Sequence, residues 1–187
     1  MSRKKATELY DRAEKLQALK YGHFTLASGI TSPYYFDGRL LSLDPACCNI
    51  ITELFMKQIV ISKANAFGGP AMAAIPIVGS LVLKSSLERL NLTGFFVREE
   101  KKAHGTGQQI EGSIEPGMKV VVFDDTLSTG GSLLNAINAV EAFGCEVVLA
   151  MTILDRQQGG SDALKERRIP LYKIWQASDL GKIEVMA

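Results

Sequence analysis

Residues 120–132 read Val120-Val-Val-Phe-Asp-Asp-Thr-Leu-Ser-Thr-Gly-Gly-Ser132, and this stretch decides the fold. The apolar run Lys119 to Phe123 is typical of a strand that is covered on both faces of a sheet. Two acids and a loop rich in hydroxyls and glycine follow it. Leu133 to Phe143 then predicts a helix, which Gly144 ends in the position that favours glycine. The stretch is therefore a strand, a polar loop and a helix, the repeating unit of a parallel sheet.

The rest of the chain repeats this alternation. Apolar spacing predicts helices over residues 4–19, 45–60 and 74–90 and a polar helix ending near 168, and strands over residues 65–67, 94–98, 147–154 and 171–175. Alternating strands and helices form right-handed crossover units. The predicted fold is α/β, with a central, mostly parallel, five-stranded sheet and helices on both faces.

Two segments lack this pattern. Phe24 to Arg39 is rich in Ser, Gly, Pro and aromatic residues and predicts a loop or a short hairpin. Glu99 to Glu115 is polar and Gly-rich, which indicates a long loop or a flexible hairpin. Ligands of such sheets bind at the carboxyl ends of the strands. We therefore expect the site in the loops that follow Phe67, Arg98, Phe123 and Leu154.

Composition limits the class of protein. A chain of 187 residues with 22% charged residues fits one globular domain, residues 1–187. A net charge of +1 gives no support to a general nucleic-acid binder. The sequence predicts no membrane span, secretion signal or zinc cluster, and its three cysteines predict buried, reduced thiols. We expect a cytoplasmic protein with no membrane or nucleic-acid partner.

The polar loop after Phe123 has the chemistry of a phosphate site. Glycine lets the backbone approach an anion closely, and the amides at a helix N-terminus attract phosphate. Ser128, Thr129 and Ser132 add hydroxyl donors. Asp124 and Asp125 would repel a phosphate, so they fit ribose hydroxyls or a phosphate-bound Mg²⁺ better. The alternative is that the segment is only a well-capped turn between a strand and a helix.

This segment resembles the signature of the type I phosphoribosyltransferases, which bind phosphoribosyl pyrophosphate (PRPP). The resemblance implies that Asp124 and Asp125 hold the ribose hydroxyls, with Mg²⁺ carried mainly by PRPP. It implies that the following loop cradles the 5-phosphate. That loop consists of Thr126, Leu127, Ser128, Thr129, Gly130, Gly131 and Ser132.

Three further segments resemble the orotate-specific branch of that family. They are Phe24-Thr-Leu-Ala-Ser-Gly-Ile-Thr-Ser-Pro-Tyr-Tyr-Phe-Asp-Gly-Arg39, Phe96-Val-Arg-Glu-Glu-Lys-Lys-Ala-His-Gly-Thr-Gly107 and Leu154-Asp-Arg-Gln-Gln-Gly-Gly160. The resemblance implies transfer of ribose 5-phosphate from PRPP to orotate, which gives orotidine 5′-monophosphate and pyrophosphate in pyrimidine synthesis.

The same resemblance assigns roles to single residues. Arg156, with Ser128, Tyr34 and Tyr35, would bind orotate, and a guanidinium suits its carboxylate. The residues that would act in catalysis are Arg98, Lys101, Lys102 and His104. The resemblance further implies a small hood over residues 19–39, a mobile catalytic loop over residues 98–112, and a homodimer that shares this loop.

The residues leave other interpretations open. Tyr34 and Tyr35 could serve packing, and Arg156 could pair with Asp155 or Asp162. Glu99 and Ala27 stand where the family usually has lysine, and a carboxylate near pyrophosphate repels it. The chain could therefore use another base, or be a PRPP-binding regulatory protein with impaired catalysis.

Overall fold

A computed structural model describes residues 2–25, 31–99 and 109–187, which form α/β layers. The helices are α1 (Ser2–Lys15), α2 (Gly38–Ser42), α3 (Pro45–Ser62), α4 (Ala74–Leu87), α5 (Gly131–Ala142) and α6 (Gly160–Glu166). The strands are β1 (Leu19–Thr25), β2 (Thr31–Phe36), β3 (Ala66–Pro70), β4 (Thr93–Val97), β5 (Ile110–Gly112), β6 (Lys119–Leu127), β7 (Glu146–Asp155), β8 (Leu171–Ala177) and β9 (Ile183–Val185).

The main sheet has the strand order β5-β4-β3-β6-β7-β8-β9. Its five inner strands are parallel, whereas β5 and β9 pair antiparallel at the two edges. The predicted α/β class and the parallel arrangement are confirmed, but the predicted count of five strands is wrong, because the sheet has seven. Both additional strands have three residues, too few for a periodic pattern to mark them.

Helices cover both faces of the sheet because β6 is apolar on both sides. Val121 and Phe123 pack in a core with α1, α3 and α4. Val120 and Val122 face the other way, into a core with α5 and α6. Side chains alternate across a strand, so an unbroken apolar run serves two cores at once. The strand at the centre of the sheet is thereby fixed from both sides.

The central strand is longer than the apolar run that predicts it. β6 continues through Leu127, so Asp124, Asp125 and Thr126 belong to the strand rather than to the loop after it. Thr126 pairs with Leu154 of β7 and Leu127 with Asp155. Polar residues remain in the strand here because a neighbouring strand satisfies their backbone groups.

The N-terminal segment forms an antiparallel hairpin of β1 and β2, one of the two forms predicted for it. Its inner residues, Tyr34 and Phe36, are buried, and the Phe36 ring lies 6.0 Å from that of Trp175. Trp175 also donates a hydrogen bond from its indole to the carbonyl of Ala6, 3.1 Å away. The hairpin is therefore packed on the same core as α1.

The remaining expectations concern cysteines and membrane segments. Cys47 and Cys145 are buried, Cys48 is partly buried, and all three are free thiols. Among the helices in the described ranges, none is long and apolar enough to cross a membrane.

We predict that Phe123→Ala lowers the free energy of unfolding by about 3–5 kcal/mol, since it leaves a cavity in the larger core. Phe123 is fully buried, and its ring lies 5.5 Å from that of Phe55. Urea denaturation would measure the loss. The matched control is Phe143→Ala, because the side chain of Phe143 is 36% exposed and its removal should cost less than about 1 kcal/mol. Equal losses would contradict the placement of Phe123 in the core.

Candidate active site

The candidate site lies where the carboxyl ends of β3, β4, β6 and β7 meet. Two of its loops are joined by backbone hydrogen bonds. The amide of Arg156 donates to the carbonyl of Leu127 at 2.8 Å, and the amide of Gly160 donates to the carbonyl of Ser128 at 2.9 Å. The loop after β6 and the loop after β7 therefore form one rigid edge.

The loop Ser128–Gly130 leads into α5 with its helix N-terminus open. Gly130 has a φ of 89°, in the left-handed region that favours glycine, and no side chain caps the helix. A Cβ at Gly131 would have no heavy atom within 4 Å, so the space around it is free. The capped-turn interpretation requires a side-chain cap, which this helix lacks. Uncapped amides and a helix dipole in open space suit a bound anion.

Asp124 and Asp125 place two adjacent carboxyl groups near the carboxyl end of β6. Asp124 is only 7% exposed, and its carboxylate accepts a hydrogen bond from the Asp125 amide at 2.9 Å. Burial, followed by repulsion from Asp125, raises the pKa of Asp124 to about 8. Burial also raises the pKa of Asp125, against hydrogen bonds from Thr126 that lower it. Such shifts are typical of functional sites.

The start of α2, directly after the hairpin, packs against Asp125. A Cβ on the buried Gly38 would lie 2.6 Å from Asp125 Oδ2, so only glycine fits there without displacement. On either side of Gly38, Asp37 and Arg39 form a bidentate ion pair, with Nε to Oδ1 at 2.9 Å and Nη2 to Oδ2 at 3.0 Å. The Arg39 hydrogen bond keeps the pKa of Asp37 low.

Asp37, Gly38 and Arg39, at the start of α2, are not among the predicted site residues. The Asp-Gly-Arg sequence was visible in the segment that ends at Arg39. The available signal was a glycine between two opposite charges, and that signal gives no indication of the contact with Asp125.

Arg156 and Tyr34 are brought together. The guanidinium carbon of Arg156 lies 5.3 Å from the centre of the Tyr34 ring, within range of a cation–π interaction. Arg156 Nε is buried, and no acceptor for it exists among the described residues. A buried donor without a partner is costly, which marks it as a position for a ligand acceptor.

Tyr35 is not part of this arrangement. Successive residues of β2 point to opposite faces, so Tyr34 is 3% exposed and Tyr35 is 37% exposed. The Tyr35 ring packs against Phe24, with ring centres 5.8 Å apart. Of the two predicted tyrosines, only Tyr34 therefore adjoins Arg156.

Arg156 does not pair with a neighbouring aspartate, which was the alternative interpretation. Asp155 is fully buried and pairs with Lys173 at 2.7 Å, and it also accepts hydrogen bonds from the backbone and side chain of Gln157. Within the described part of the chain, Arg156 has no ion pair with Asp155 or Asp162. Lys173 is a further site residue that the sequence does not reveal, because 18 positions separate it from Asp155.

A cleft of about 140 Å³ opens beside the helix N-terminus. Its lining consists of Pro70, Ala71, Val97, Arg98, Glu99, Gln109, Ser132, Asn135 and Ala136. Arg98 lies 3.6 Å from the Glu111 carboxylate, and Ser132 faces the cleft from the first turn of α5. The cleft therefore connects the phosphate loop to the start of the predicted catalytic loop. Lys101, Lys102, His104 and Ala27 lie outside the described residues.

The described residues form no ready-made metal coordination site. In the ranges that the structure covers, no group of three or more His, Cys, Asp or Glu side chains is placed to hold one. Mg²⁺ usually keeps several waters and binds one or two carboxylates together with substrate phosphates. The adjacent carboxyl groups of Asp124 and Asp125 fit a magnesium ion that arrives with a phosphorylated ligand.

Comparison with known proteins is consistent with this geometry. The phosphoribosyl transferase domain family matches residues 49–176. An orotate phosphoribosyltransferase of Rhodopirellula baltica is 40% identical over an alignment 172 residues long, which covers 88% of this chain and 89% of that one. A phosphoribosyltransferase structure from Corynebacterium diphtheriae superposes with a TM-score of 0.79 at 30% identity, covering 96% of this chain and 99% of that one. An orotate phosphoribosyltransferase structure of Mycobacterium tuberculosis in complex with PRPP has a TM-score of 0.76 at 28% identity, covering 95% and 99%.

The raised pKa of Asp124 predicts how stability depends on pH. The folded-state pKa of about 8 exceeds the ordinary value of 3.8, so between these values the folded protein keeps a proton that the unfolded chain has lost. Stability contributed by this group is present at low pH and falls as pH rises through the window. Asp124→Asn removes the titration, and we expect it to stabilise the protein by on the order of 2 kcal/mol more at about pH 8 than at about pH 4.

Urea denaturation in a buffer that contains a metal chelator would measure the difference. Asp179→Asn is the matched control, because Asp179 is an exposed aspartate away from this edge. A stability difference for Asp124→Asn that does not change with pH would refute the assignment of a raised pKa.

Proposed function

The chain belongs to the phosphoribosyl transferase family, and on this basis we propose that it transfers the ribose 5-phosphate group of PRPP to orotate. The products are orotidine 5′-monophosphate and pyrophosphate. One observation carries the choice of orotate. Arg156 presents a buried Nε without an acceptor over the Tyr34 ring, beside the open phosphate loop. A planar base that bears a carboxylate would supply the missing acceptor to Arg156 and would lie beside the phosphate loop.

PRPP binds at the edge made by β6 and α5. The backbone amides of residues 129–132 and the hydroxyls of Ser128, Thr129 and Ser132 receive the 5-phosphate. Asp124 and Asp125 accept hydrogen bonds from the ribose hydroxyls. Gly38, at the start of α2, supports this arrangement because its missing side chain lets the backbone lie close to Asp125. Asp124 and Asp125 would hold Mg²⁺ together with the phosphates of PRPP, and the ion would offset the negative charge of the pyrophosphate.

Orotate binds between the hairpin and the loop after β7. The guanidinium of Arg156 can donate two parallel hydrogen bonds to the carboxylate, which a lysine cannot do. The Tyr34 ring lies against the guanidinium and holds it by a cation–π interaction. Ser128 adjoins both substrates. Tyr35 lies on the outer face of the hairpin against Phe24, and its proposed part is to offer its ring face to the base.

Bond breaking requires positive charge near the departing pyrophosphate. The ribose C1–oxygen bond breaks as a bond forms from C1 to the base nitrogen, and the ribose passes through a cation-like state. Arg98 lines the cleft next to Ser132. Lys101, Lys102 and His104 follow in the same loop, and His104 is suited to donate a proton near neutral pH. Charge held at the leaving group is usually the largest contribution to such catalysis.

The proposal has a further part that rests on the resemblance. The chain forms one catalytic domain, with a hood over residues 19–39 and a catalytic loop over residues 98–112 that moves over the site and excludes water. Two copies form a homodimer that shares this loop, and the enzyme works in the cytoplasm.

The first test is the absorbance of orotate on mixing the purified protein with PRPP and Mg²⁺. We expect the orotate band to disappear, and its loss should require the protein, PRPP and Mg²⁺ together. Persistence of the band under saturating substrates would reject orotate as the acceptor. PRPP binding measured by calorimetry would then show whether the chain keeps only the binding half of the function.

Arg156→Ala is the control variant for the acceptor. It should raise the KM for orotate by about 100-fold, because a carboxylate loses charge-assisted hydrogen bonds. Turnover of uracil, which has no carboxylate, should change little. An unchanged orotate KM in Arg156→Ala would show that Arg156 does not bind the orotate carboxylate.

Glu99 should weaken binding of the pyrophosphate group, because it places a carboxylate on the wall of the cleft. We predict that Glu99→Lys raises kcat/KM for PRPP by about two- to fivefold, the range for one exposed charge. Glu146→Lys makes the same change of charge at the amino end of β7, away from the site, and should leave the value unchanged. No gain from Glu99→Lys would show that Glu99 does not oppose the substrate.

A further inference from the structure

Two oppositely charged residues stand side by side at the end of β7, yet they do not pair. Asp155 ends the strand with a fully buried carboxylate, and Arg156 is the next residue. The charges of Asp155 and Arg156 both act on the Tyr34 phenol, in opposite directions. Burial raises the pKa of the Tyr34 phenol most, the Arg156 charge lowers it, and the Asp155 charge raises it. The guanidinium nevertheless lies over the Tyr34 ring, with Nε unpartnered.

The reason is that Asp155 is already satisfied. Its Oδ1 accepts from the Gln157 amide at 2.9 Å, and its Oδ2 accepts from Lys173 Nζ at 2.7 Å and from the Gln157 side chain. Three donors leave little capacity for a guanidinium. The ion pair with Lys173 also cancels the charge that would otherwise attract Arg156.

Lys173 can do this because it reaches the carboxylate from a neighbouring strand. It lies on β8, where it pairs with Thr152 of β7, and its side chain is 21% exposed against 0% for that of Asp155. The stem of the lysine is therefore covered while its ammonium group spans from the carboxylate towards water. A buried carboxylate without such a partner would be strongly unfavourable.

We propose that Lys173 is a positioning residue that keeps Arg156 free for the carboxylate of the base by neutralising Asp155. Without Lys173, the buried carboxylate of Asp155 captures the adjacent guanidinium, and the substrate carboxylate loses its partner. The identity of the base rests on the proposed function. The role of Lys173 towards Asp155 and Arg156 is a separate matter of charge and geometry.

The test compares steady-state kinetics of the wild-type enzyme with those of Lys173→Met. We expect the KM for orotate to rise about 10- to 100-fold, the loss that follows from one or more charge-assisted hydrogen bonds. The KM for PRPP should stay within about twofold, because the ion pair and hydrogen bond of Lys173 within the described residues go to Asp155 and not to residues 126–132. Lys165→Met is the matched control, since Lys165 is an exposed lysine on the adjacent helix α6.

A second substitution separates capture of Arg156 from simple damage to the fold. Asp155→Asn combined with Lys173→Met removes the competing charge together with its partner and keeps an acceptor for the Gln157 amide. The double variant should regain an orotate KM close to that of the wild type. Damage to the fold predicts the opposite, since the double variant would then be as poor as the single one or worse. If Lys173→Met does not fold, Lys173→Gln, which can still donate to Asp155 without carrying charge, takes its place.

A crystal structure of the single variant tests the same inference without turnover. It should show the Arg156 guanidinium within hydrogen-bonding distance of the Asp155 carboxylate. Arg156 still lying over Tyr34, or an unchanged orotate KM, would overturn the role of Lys173. Failure of the proposed function looks different, since the wild-type enzyme itself would then leave orotate unchanged while the position of Arg156 in the variant could still be determined.

Discussion

The structure depends on one central strand that is buried on both faces and ends in charged residues. Val120 to Phe123 supply side chains to two separate cores, and this fixes the position of β6 relative to every other layer. The next residues on the same strand are Asp124 and Asp125, which therefore cannot move out to solvent. A rigid strand forces two carboxyl groups into a partly dry place, and burial raises the pKa of both. Burial of these carboxyl groups lowers the stability of the folded protein, and a ligand that hydrogen-bonds to them can restore it.

The site manages its charges by a different means on each strand. On β6 the two acids have no described cation as a direct partner, so Asp124 avoids the cost of burial by holding its proton. On β7 the buried acid has a lysine, and the arginine beside it is left for a ligand. Both solutions leave the open edge short of negative charge and rich in donors. An edge of this kind attracts an anionic substrate more strongly than a set of pairwise neutralised residues would.

The sequence was informative where one physical rule governed many residues together. Continuous apolar runs revealed the parallel strands, and the order of acids, hydroxyls and glycines after Phe123 predicts a phosphate loop. It failed where partners are distant or elements are short. The edge strands β5 and β9 have too few residues for a pattern, and the extension of β6 through Leu127 is polar. The Lys173–Asp155 pair depends on the register of two strands, which local spacing does not encode.

The hairpin shows how such long-range contacts make a peripheral segment part of the site. Tyr34 lies under Arg156, and Gly38, four residues later, touches Asp125. One short stretch therefore contacts the group proposed for the base and the group proposed for the ribose. Because Tyr34 belongs to the same buried cluster as Trp175, the stretch is also anchored in the core. A shift of the hairpin would move the supports of both subsites together, so the geometry that joins the two substrates is set by the packing of β2 as much as by the loops of the sheet.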